Sequence, residues 1–539
     1  MQNFFADVSK DTSMPCSWQK TLIASFDMLF RFSLNLYIFC LGKNLGRTWD
    51  GGSIASNERL RIIEDMILSG CIEAASVHGT KSSSTPPAIV PSMSIHPIEF
   101  RYGTKEMKAI WEEDFRLRCL FRVEAALAKA EEELGMIPPG AAVEIAAAAE
   151  STQPERAKEI EDEIGHDMMA TVLALAEESP QFGEWIHLGA TSNDILDTAT
   201  GLQIKASLDI LEPKLKALLS LLLEKALANK SLVCAGRTHG QIAVPTTYGL
   251  RFAIWASEVG RHIERLQQLR PRAAVGKMSG AVGTQAAYGE SGMEIQARVM
   301  EHLGLFEVDV SNQVVQRDRH AELVCWMALV ASTLDKIFVE MRTLQRTEIA
   351  EVEEGFGKKQ VGSSTMPHKR NPIKSEQICG LSRIVRAQLI PAFENIPLWD
   401  ERDLTNSSCE RIVFPEAFIF TDHLITLATR TLERLTLRKE NIEKNLTMLR
   451  GLNMAENVMV ELAKKGVGRQ QAHEIMRQSS MIAFEEKREL ADVLLENSMV
   501  MQHLTAQQIS SLLDPHQYIG TAVSQVERLY QKLHRLYLD

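Results

Sequence analysis

Residues 305–354 read LFEVDVSNQVVQRDRHAELVCWMALVASTLDKIFVEMRTLQRTEIAEVEE, fifty positions without one glycine or proline. After Val315 the apolar residues Leu323, Met327, Val330, Leu334, Ile337, Met341 and Leu344 recur every three or four positions, the period of one helix face. A continuous helix of about 35 residues is expected there, about 50 Å long at 1.5 Å per residue. Lys105 to Leu134, Glu155 to Ala176, Lys214 to Ala235 and the Gly/Pro-free run Glu416 to Arg450 add further helices. Rods of this length bury their apolar stripes against one another. The fold class is therefore all-α: an elongated bundle of long helices flanked by two smaller helical domains.

Composition agrees. Aromatic residues make up only 6% of the 539, low for a sandwich or barrel, while Ala, Leu, Glu, Lys and Met fill long stretches. The 59 Lys and Arg face 70 Asp and Glu, a net charge of -11, the wrong sign for holding nucleic acid by phosphate neutralisation. A small anionic substrate gripped by a local cluster of cations is compatible with that balance. The eight cysteines are scattered singly, with neither disulfide-scaffold nor zinc spacing, which fits a reducing, cytoplasmic setting. Leu22 to Leu41 is apolar but carries Asp27 and Arg31, each costing about 2.5 to 3.5 kcal/mol at a bilayer centre, so no membrane span is expected.

Residues 1–92 differ from the rest. They hold eight basic and eight acidic residues, so the whole -11 belongs to 93–539, and they end in the linker-like Lys81-Ser-Ser-Ser-Thr-Pro-Pro. They read as a poorly ordered extension that supplies no active-site group, with Met93 a natural beginning. The expected domains are 93–203 and 451–539, both helical, on either side of a central bundle at 204–450.

Polar, Gly- and Ser-rich segments interrupt the helices at Leu188–Asp194, Gly236–Gln241, Gly276–Thr284 and Gly355–Pro372, where function concentrates. Gly362-Ser-Ser-Thr-Met-Pro-His-Lys-Arg-Asn-Pro372 puts two hydroxyls on a flexible loop beside Lys369 and Arg370, cations able to hold a carboxylate or lower a hydroxyl's pKa. Read alone it is equally a solvated basic loop. In Gly236-Arg-Thr-His-Gly-Gln241 a histidine between glycines is an accessible proton carrier, although most histidines are structural. Trp185-Ile-His-Leu-Gly-Ala-Thr-Ser-Asn-Asp194, with Gly165-His-Asp167 upstream, offers donors to an anion; Ser192 could equally cap a helix beginning at Asp194. Arg101-Tyr102 and Trp399-Asp-Glu-Arg-Asp-Leu-Thr-Asn-Ser-Ser-Cys-Glu-Arg411 combine Arg forks and hydroxyls suited to phosphate, or form a charged helix surface. No H-E-x-x-H or cysteine ligand supports a metal site from His166, His187 and His239.

The 362–372 string resembles the signature of the fumarase/aspartase superfamily, whose members eliminate fumarate from a succinyl group. Arg101-Tyr102, Gly165-His-Asp167 and the Glu-Arg-Asp string with its paired serines make the chain most similar, within that superfamily, to the adenylosuccinate lyases. The likeness runs from about Met93 to the C-terminus. It implies cofactor-free β-elimination of fumarate from adenylosuccinate to give AMP, and from succinyl-aminoimidazole-carboxamide ribotide, by a homotetramer whose sites each draw on three subunits.

The resemblance places the general base at Ser363 on a mobile loop and the general acid at His239. Lys369 and Asn371 fall where the family holds the substrate carboxylate and the developing dianion, and Glu376 where it orients a catalytic histidine. Arg101, Tyr102, Arg402, Ser407 and Arg411 take the phosphate positions. His166, Asp167, His187, Thr191, Ser192, Thr238 and Gln285 complete the substrate-binding set, with no metal. The chain departs from many members at Asn406, where they have His, and at Lys374, where they have Arg. The alternatives are a sister enzyme acting on carboxymuconate or argininosuccinate, and a non-catalytic structural homologue.

Overall fold

In the computed structural model, residues 95–355, 366 and 368–539 are described. Everything expected of residues 1–92, and of Ser363, therefore lies outside the described residues. The described residues belong to one unit, Met93–Asp539.

Helices dominate, and the strands are few and short. Seven helices are numbered here: α1 Glu113–Glu133, α2 Ser192–Ala228, α3 Tyr248–Ala273, α4 Asp318–Leu344, α5 Ile373–Ala387, α6 Thr405–Glu433 and α7 Ala522–Tyr537. Helix α2 packs on α3, α3 on α4, α4 on α5 and α5 on α6, while α1 lies against α2 and α7 returns to cover α2 and α3. The stripe that predicts α4 is its buried face: Leu323, Met327, Ile337 and Phe338 are fully excluded from solvent. Among the described residues, α6 is the one helix apolar and long enough to cross a membrane, and 61% of its apolar window is buried in the bundle. A smaller separate core (Val458, Leu462, Ala472, Leu494, Val500) organises residues after 451.

Local chemistry sets the ends. Helix α4 has 27 residues, about 40 Å, shorter than its Gly/Pro-free run suggests. The chain reverses after Leu344 through Ala350, at φ +50°, and Glu351 N donates back to Leu344 O. Helix α6 enters upstream of Pro415 and stops at Glu433 instead of running from Glu416 to Arg450. Trp111–Glu112 splits the first expected helix, and Gly165, at φ +68°, splits Glu155 to Ala176. The expected helix from Lys214 ends at Ala228, and the chain then forms an antiparallel hairpin, β1 Val233–Thr238 and β2 Gln241–Thr247. Gly236 allows that pairing, because a Cβ there would sit 2.4 Å from Val244 O.

Helix α2 spans 37 residues, about 55 Å. Its first turn holds Thr191, Ser192 and Asp194, and the hairpin lies beyond its last. Gly201 within it is obligatory: a Cβ would sit 2.1 Å from Val275 O, a backbone atom that cannot swing aside. Gly→Ala in a helix ordinarily stabilises by about 1 kcal/mol. Gly201→Ala should instead destabilise by about 1–3 kcal/mol, the usual cost of overpacking, seen as a lower Tm by calorimetry.

Candidate functional site

At the N-terminal end of α2, Thr191 is the N-cap and Asp194 closes a capping box, accepting from Thr191 N at 2.9 Å. The helix thus begins at Ser192 behind a Thr191 cap, two positions before the Asp194 start expected with Ser192 as the cap. Asp194 is fully buried and also accepts from Lys277 Nζ at 2.5 Å, Ser279 N at 2.8 Å and Gly280 N at 3.0 Å. One carboxylate therefore pins the Gly276–Thr284 loop onto the start of α2. Gln285, at φ +56°, staples the same loop by donating Nε2 to Met278 O and Gly292 O, both at 3.0 Å. Its amide nitrogen is spent on the loop.

Arg317, at the start of α4 and 4% exposed, bridges three helices. Its Nη1 and Nη2 reach the two Asp197 oxygens of α2 at 2.9 Å, while Nε and Nη2 reach Glu410 of α6 at 3.0 and 3.2 Å. Burial would raise the Asp197 carboxyl, but Arg317 outweighs it and holds it below the ordinary value. Glu410 is lowered likewise, burial being overcome by His320 and Arg317. Asn406, the departure from the family pattern, donates to Glu410 Oε2 at 3.0 Å. This frame walls a cavity of about 190 Å³ lined by Arg402, Ser407, Arg411, Asn193, Arg317 and Arg116. Among the described residues, Arg402 Nε and Asn193 Oδ1 are buried there without a hydrogen-bond partner, which marks the cavity as built for a polar ligand. Arg402 Nη1 donates to Gln313 Oε1 at 3.0 Å.

Arg411 Nη2 donates to Asp167 Oδ2 at 3.2 Å, tying the cavity to His166, which caps the helix Asp167–Glu177 by accepting from Met169 N at 3.2 Å. His187, at φ +67°, shares Nδ1 with buried Glu124 Oε1 at 2.6 Å. Burial disfavours the imidazolium, but the Glu124 carboxylate outweighs it and raises the His187 pKa.

A second group of site residues gathers at the opposite end of α2. His239 and Gly240 are a two-residue hairpin loop, with φ +52° and +76°, joining paired Thr238 and Gln241. Two positive φ values define a type I′ turn, which explains the glycine after the histidine. Thr238 and His239 are exposed. The hairpin is anchored by fully buried Glu351, which accepts from Arg237 Nη2 and Tyr248 Oη, each at 2.6 Å, and from Asn445 Nδ2 at 2.9 Å. Beside it, Gln345 at the end of α4 donates to Arg370 O at 3.1 Å and Arg370 pairs with Glu353, which seats Lys369 and Asn371 before α5. Glu376 lies exposed in the first turn of α5 and has no hydrogen bond to His239 within the described residues. Lys374 donates its backbone N to Glu354 Oε2 at 3.2 Å.

Arg101 and Tyr102 form a third group. Tyr102 packs on His423 and Phe420 of α6, with ring centroids 5.4 and 6.2 Å apart. Residues 411 and 423 are twelve positions apart, about 18 Å along the helix. Within one chain, then, the predicted residues that are described form three separate clusters.

A sequence model of the family described as "Lyase" matches residues 99–387, and one described as "Adenylosuccinate lyase C-terminus" matches 451–529. An adenylosuccinate lyase of Methanocaldococcus jannaschii is 55% identical over 445 residues, 82% of this chain and 96% of that one. The chain belongs to the adenylosuccinate lyase family. Solved superfamily structures share the fold. A fumarate lyase from Mesorhizobium sp. BNC1 is 31% identical with a TM-score of 0.74, and a 3-carboxy-cis,cis-muconate lactonizing enzyme from Pseudomonas putida is 32% identical, also at 0.74. Each covers 80% of this chain and 98% of its own. The carboxymuconate alternative thus stands well behind the adenylosuccinate lyases in identity, and the chain is a lyase.

Sequence reasoning missed the residues that hold this family's groups in place here: Asp194, Lys277, Asp197, Arg317, Glu410, Glu351 and Glu124. Asp194 and Glu410 stood inside quoted motifs and Lys277 inside the Gly-rich segment 276–284; the others carry no local signal, because their partners lie far along the chain. Replacing Arg317 by Met leaves the buried Asp197 carboxylate without its cation and Glu410 to His320 and Asn406, a defect of about 3–5 kcal/mol. Both carboxylates are depressed in the native state, so the pair's stabilisation is present at neutral pH and lost as pH falls through their native values. The gap between wild type and Arg317→Met in urea denaturation should be widest near pH 7 and narrow in acid.

Proposed function

We propose that this lyase eliminates fumarate from adenylosuccinate to give AMP, and from succinyl-aminoimidazole-carboxamide ribotide, in purine nucleotide biosynthesis. It does so in the cytosol, without a cofactor and with no nucleic-acid or membrane partner. The cytosolic reading draws on Cys119, Cys234, Cys325, Cys379 and Cys409, which are unpaired thiols.

The reaction breaks a Cβ–H bond and a C–N bond and forms the fumarate double bond. Ser363 takes the Cβ proton, His239 gives a proton to the departing nitrogen, and Lys369 with Asn371 stabilises the aci-carboxylate between the two events. Arg402, Ser407 and Arg411, with Arg101 and Tyr102, hold the phosphate. His166, His187, Thr191 and Ser192 hold succinyl or phosphate oxygens, and Asp167, Thr238 and Gln285 support them. Glu376 orients a histidine across a subunit boundary. Residues 1–92 contribute no group.

The carrying observation is the length of α2. Groups that must act on one substrate of nucleotide size sit at opposite ends of a helix of 37 residues, about 55 Å. The cavity of about 190 Å³ is also smaller than the roughly 300–1,000 Å³ of a usual ligand pocket. A homotetramer that brings end to end helices from three subunits to each site resolves both.

Ser363→Ala and His239→Ala should each lower kcat by at least ~100-fold while the circular dichroism spectrum is kept, as removal of a general base or acid does. Near-wild-type loss of adenylosuccinate absorbance in either variant would refute the assignment. Mixed oligomers provide a separate test. His239→Ala and Arg402→Ala, each inactive alone, should regain activity when refolded together, because some sites then receive both intact ends. Light scattering should give about four times the 60.3 kDa chain mass; an active monomer would refute the shared site.

A further inference from the structure

Behind His187 lies a set of buried acids that the elimination does not use. Glu124 and Glu131 stand seven positions apart on α1, hence on one face of the helix, and both are essentially excluded from solvent. Glu124 spends Oε1 on His187 Nδ1; its Oε2 and both oxygens of Glu131 are buried without a hydrogen-bond partner. Tyr288 Oη, from the turn Ala286–Ser291, is buried and unpartnered as well. Its ring packs on the His187 loop so closely that a Cβ on Gly189 would sit 2.6 Å from it. The other charge near His187 is Asp194 of α2, already neutralised by Lys277. Burial, and then Glu124, push the Glu131 carboxyl up to about 8, so Glu131 is a neutral acid at physiological pH.

We propose that Glu124 is a positioning residue that clamps Nδ1–H of His187, keeps that imidazole protonated, and directs Nε2–H at an anionic group of the substrate. Nε2 has no hydrogen-bond partner among the described residues, and the backbone of His187 is left-handed at φ +67°, a region few non-glycine residues occupy. A neutral imidazole would present a weaker donor or a lone pair at that nitrogen; the buried carboxylate removes both alternatives. The anion is a carboxylate or a phosphate oxygen, the two chemistries this lyase's proposed substrates carry. Only the identity of that anion rests on the proposed reaction; the charge state of His187 does not.

The test uses the full chain. In wild type, with histidines labelled at Cε1 and Nε2 and His187 assigned by loss of its signal in His187→Gln, the ring should remain an imidazolium at pH 7.5. Glu124→Gln keeps an acceptor for Nδ1–H but removes the charge, and the ring should then be neutral. At pH 8 KM should rise about tenfold with kcat within about threefold, and the difference should close towards pH 6, where an unassisted histidine protonates. Glu131→Gln, a neutral replacement for a neutral acid, should leave the His187 signal as in wild type. Product inhibition separates the anions: a weaker fumarate inhibition in Glu124→Gln assigns a carboxylate, a weaker AMP inhibition a phosphate. A neutral His187 in wild type overturns the proposal, and this holds even if Glu124→Gln fails to fold. So does an unchanged KM, a loss confined to kcat, or an equal effect of Glu131→Gln. If wild type does not turn over adenylosuccinate, the substrate reading fails while the resonance still decides the role of Glu124.

Discussion

A helix cannot fold back on itself, and α2 is 37 residues long. Its backbone hydrogen bonds make it a rod, so whatever is fixed to its first turn stays about 55 Å from whatever follows its last. The donors of Thr191 and Ser192 are at one end and the proton carrier His239 at the other. Helices α3 and α6 pack along the same rod, α4 packs along α3, and the separation is inherited, which is why Arg317 and Arg402 stand with the first group and Lys369 and Asn371 with the second. The proposed shared site follows from this rigidity.

Each end is held by buried ions rather than by apolar packing alone. Asp194 with Lys277, Asp197 and Glu410 with Arg317, and Glu351 with Arg237 all have at least one fully or almost fully buried partner. Replacing such a pair by apolar residues is often neutral for stability, whereas losing one partner is costly. What the pairs supply here is placement. Asp194 joins a loop to a helix start, Arg317 joins three helices around a cavity, and Glu351 joins a hairpin to the end of α4. A hydrophobic contact would permit sliding at those junctions; directed hydrogen bonds do not.

Backbone strain gathers at the same places. Among the described residues, non-glycine positive φ occurs at seven positions, and three of them, His187, His239 and Gln285, are site residues. For His239 the cause is the two-residue turn that leaves the residue exposed. His187, at φ +67°, pairs with Glu124 at 2.6 Å. Such conformations persist where surrounding contacts over-determine them, as they do here.

The sequence by itself determined the all-α class, because the 3.6-residue period and the absence of glycine and proline over 305–354 are local properties of a chain. It also displayed the chemistry-bearing strings, since loops rich in Gly, Ser and His between apolar rods stand out by composition, and the resemblance of 362–372 supplied their common purpose. Helix ends were less legible: α6 passes through Pro415, and the hairpin after α2 depends on Gly236 approaching Val244, a contact between strands. Only the tertiary structure decided which charges are buried together. Arg317 meets Asp197 at a separation of 120 positions and Glu410 at 93, and Glu124 meets His187 at 63. Pairing over such distances is set by how helices pack, which no local period encodes, and so neither the frame around the cavity nor the acid behind His187 could be read from the order of residues.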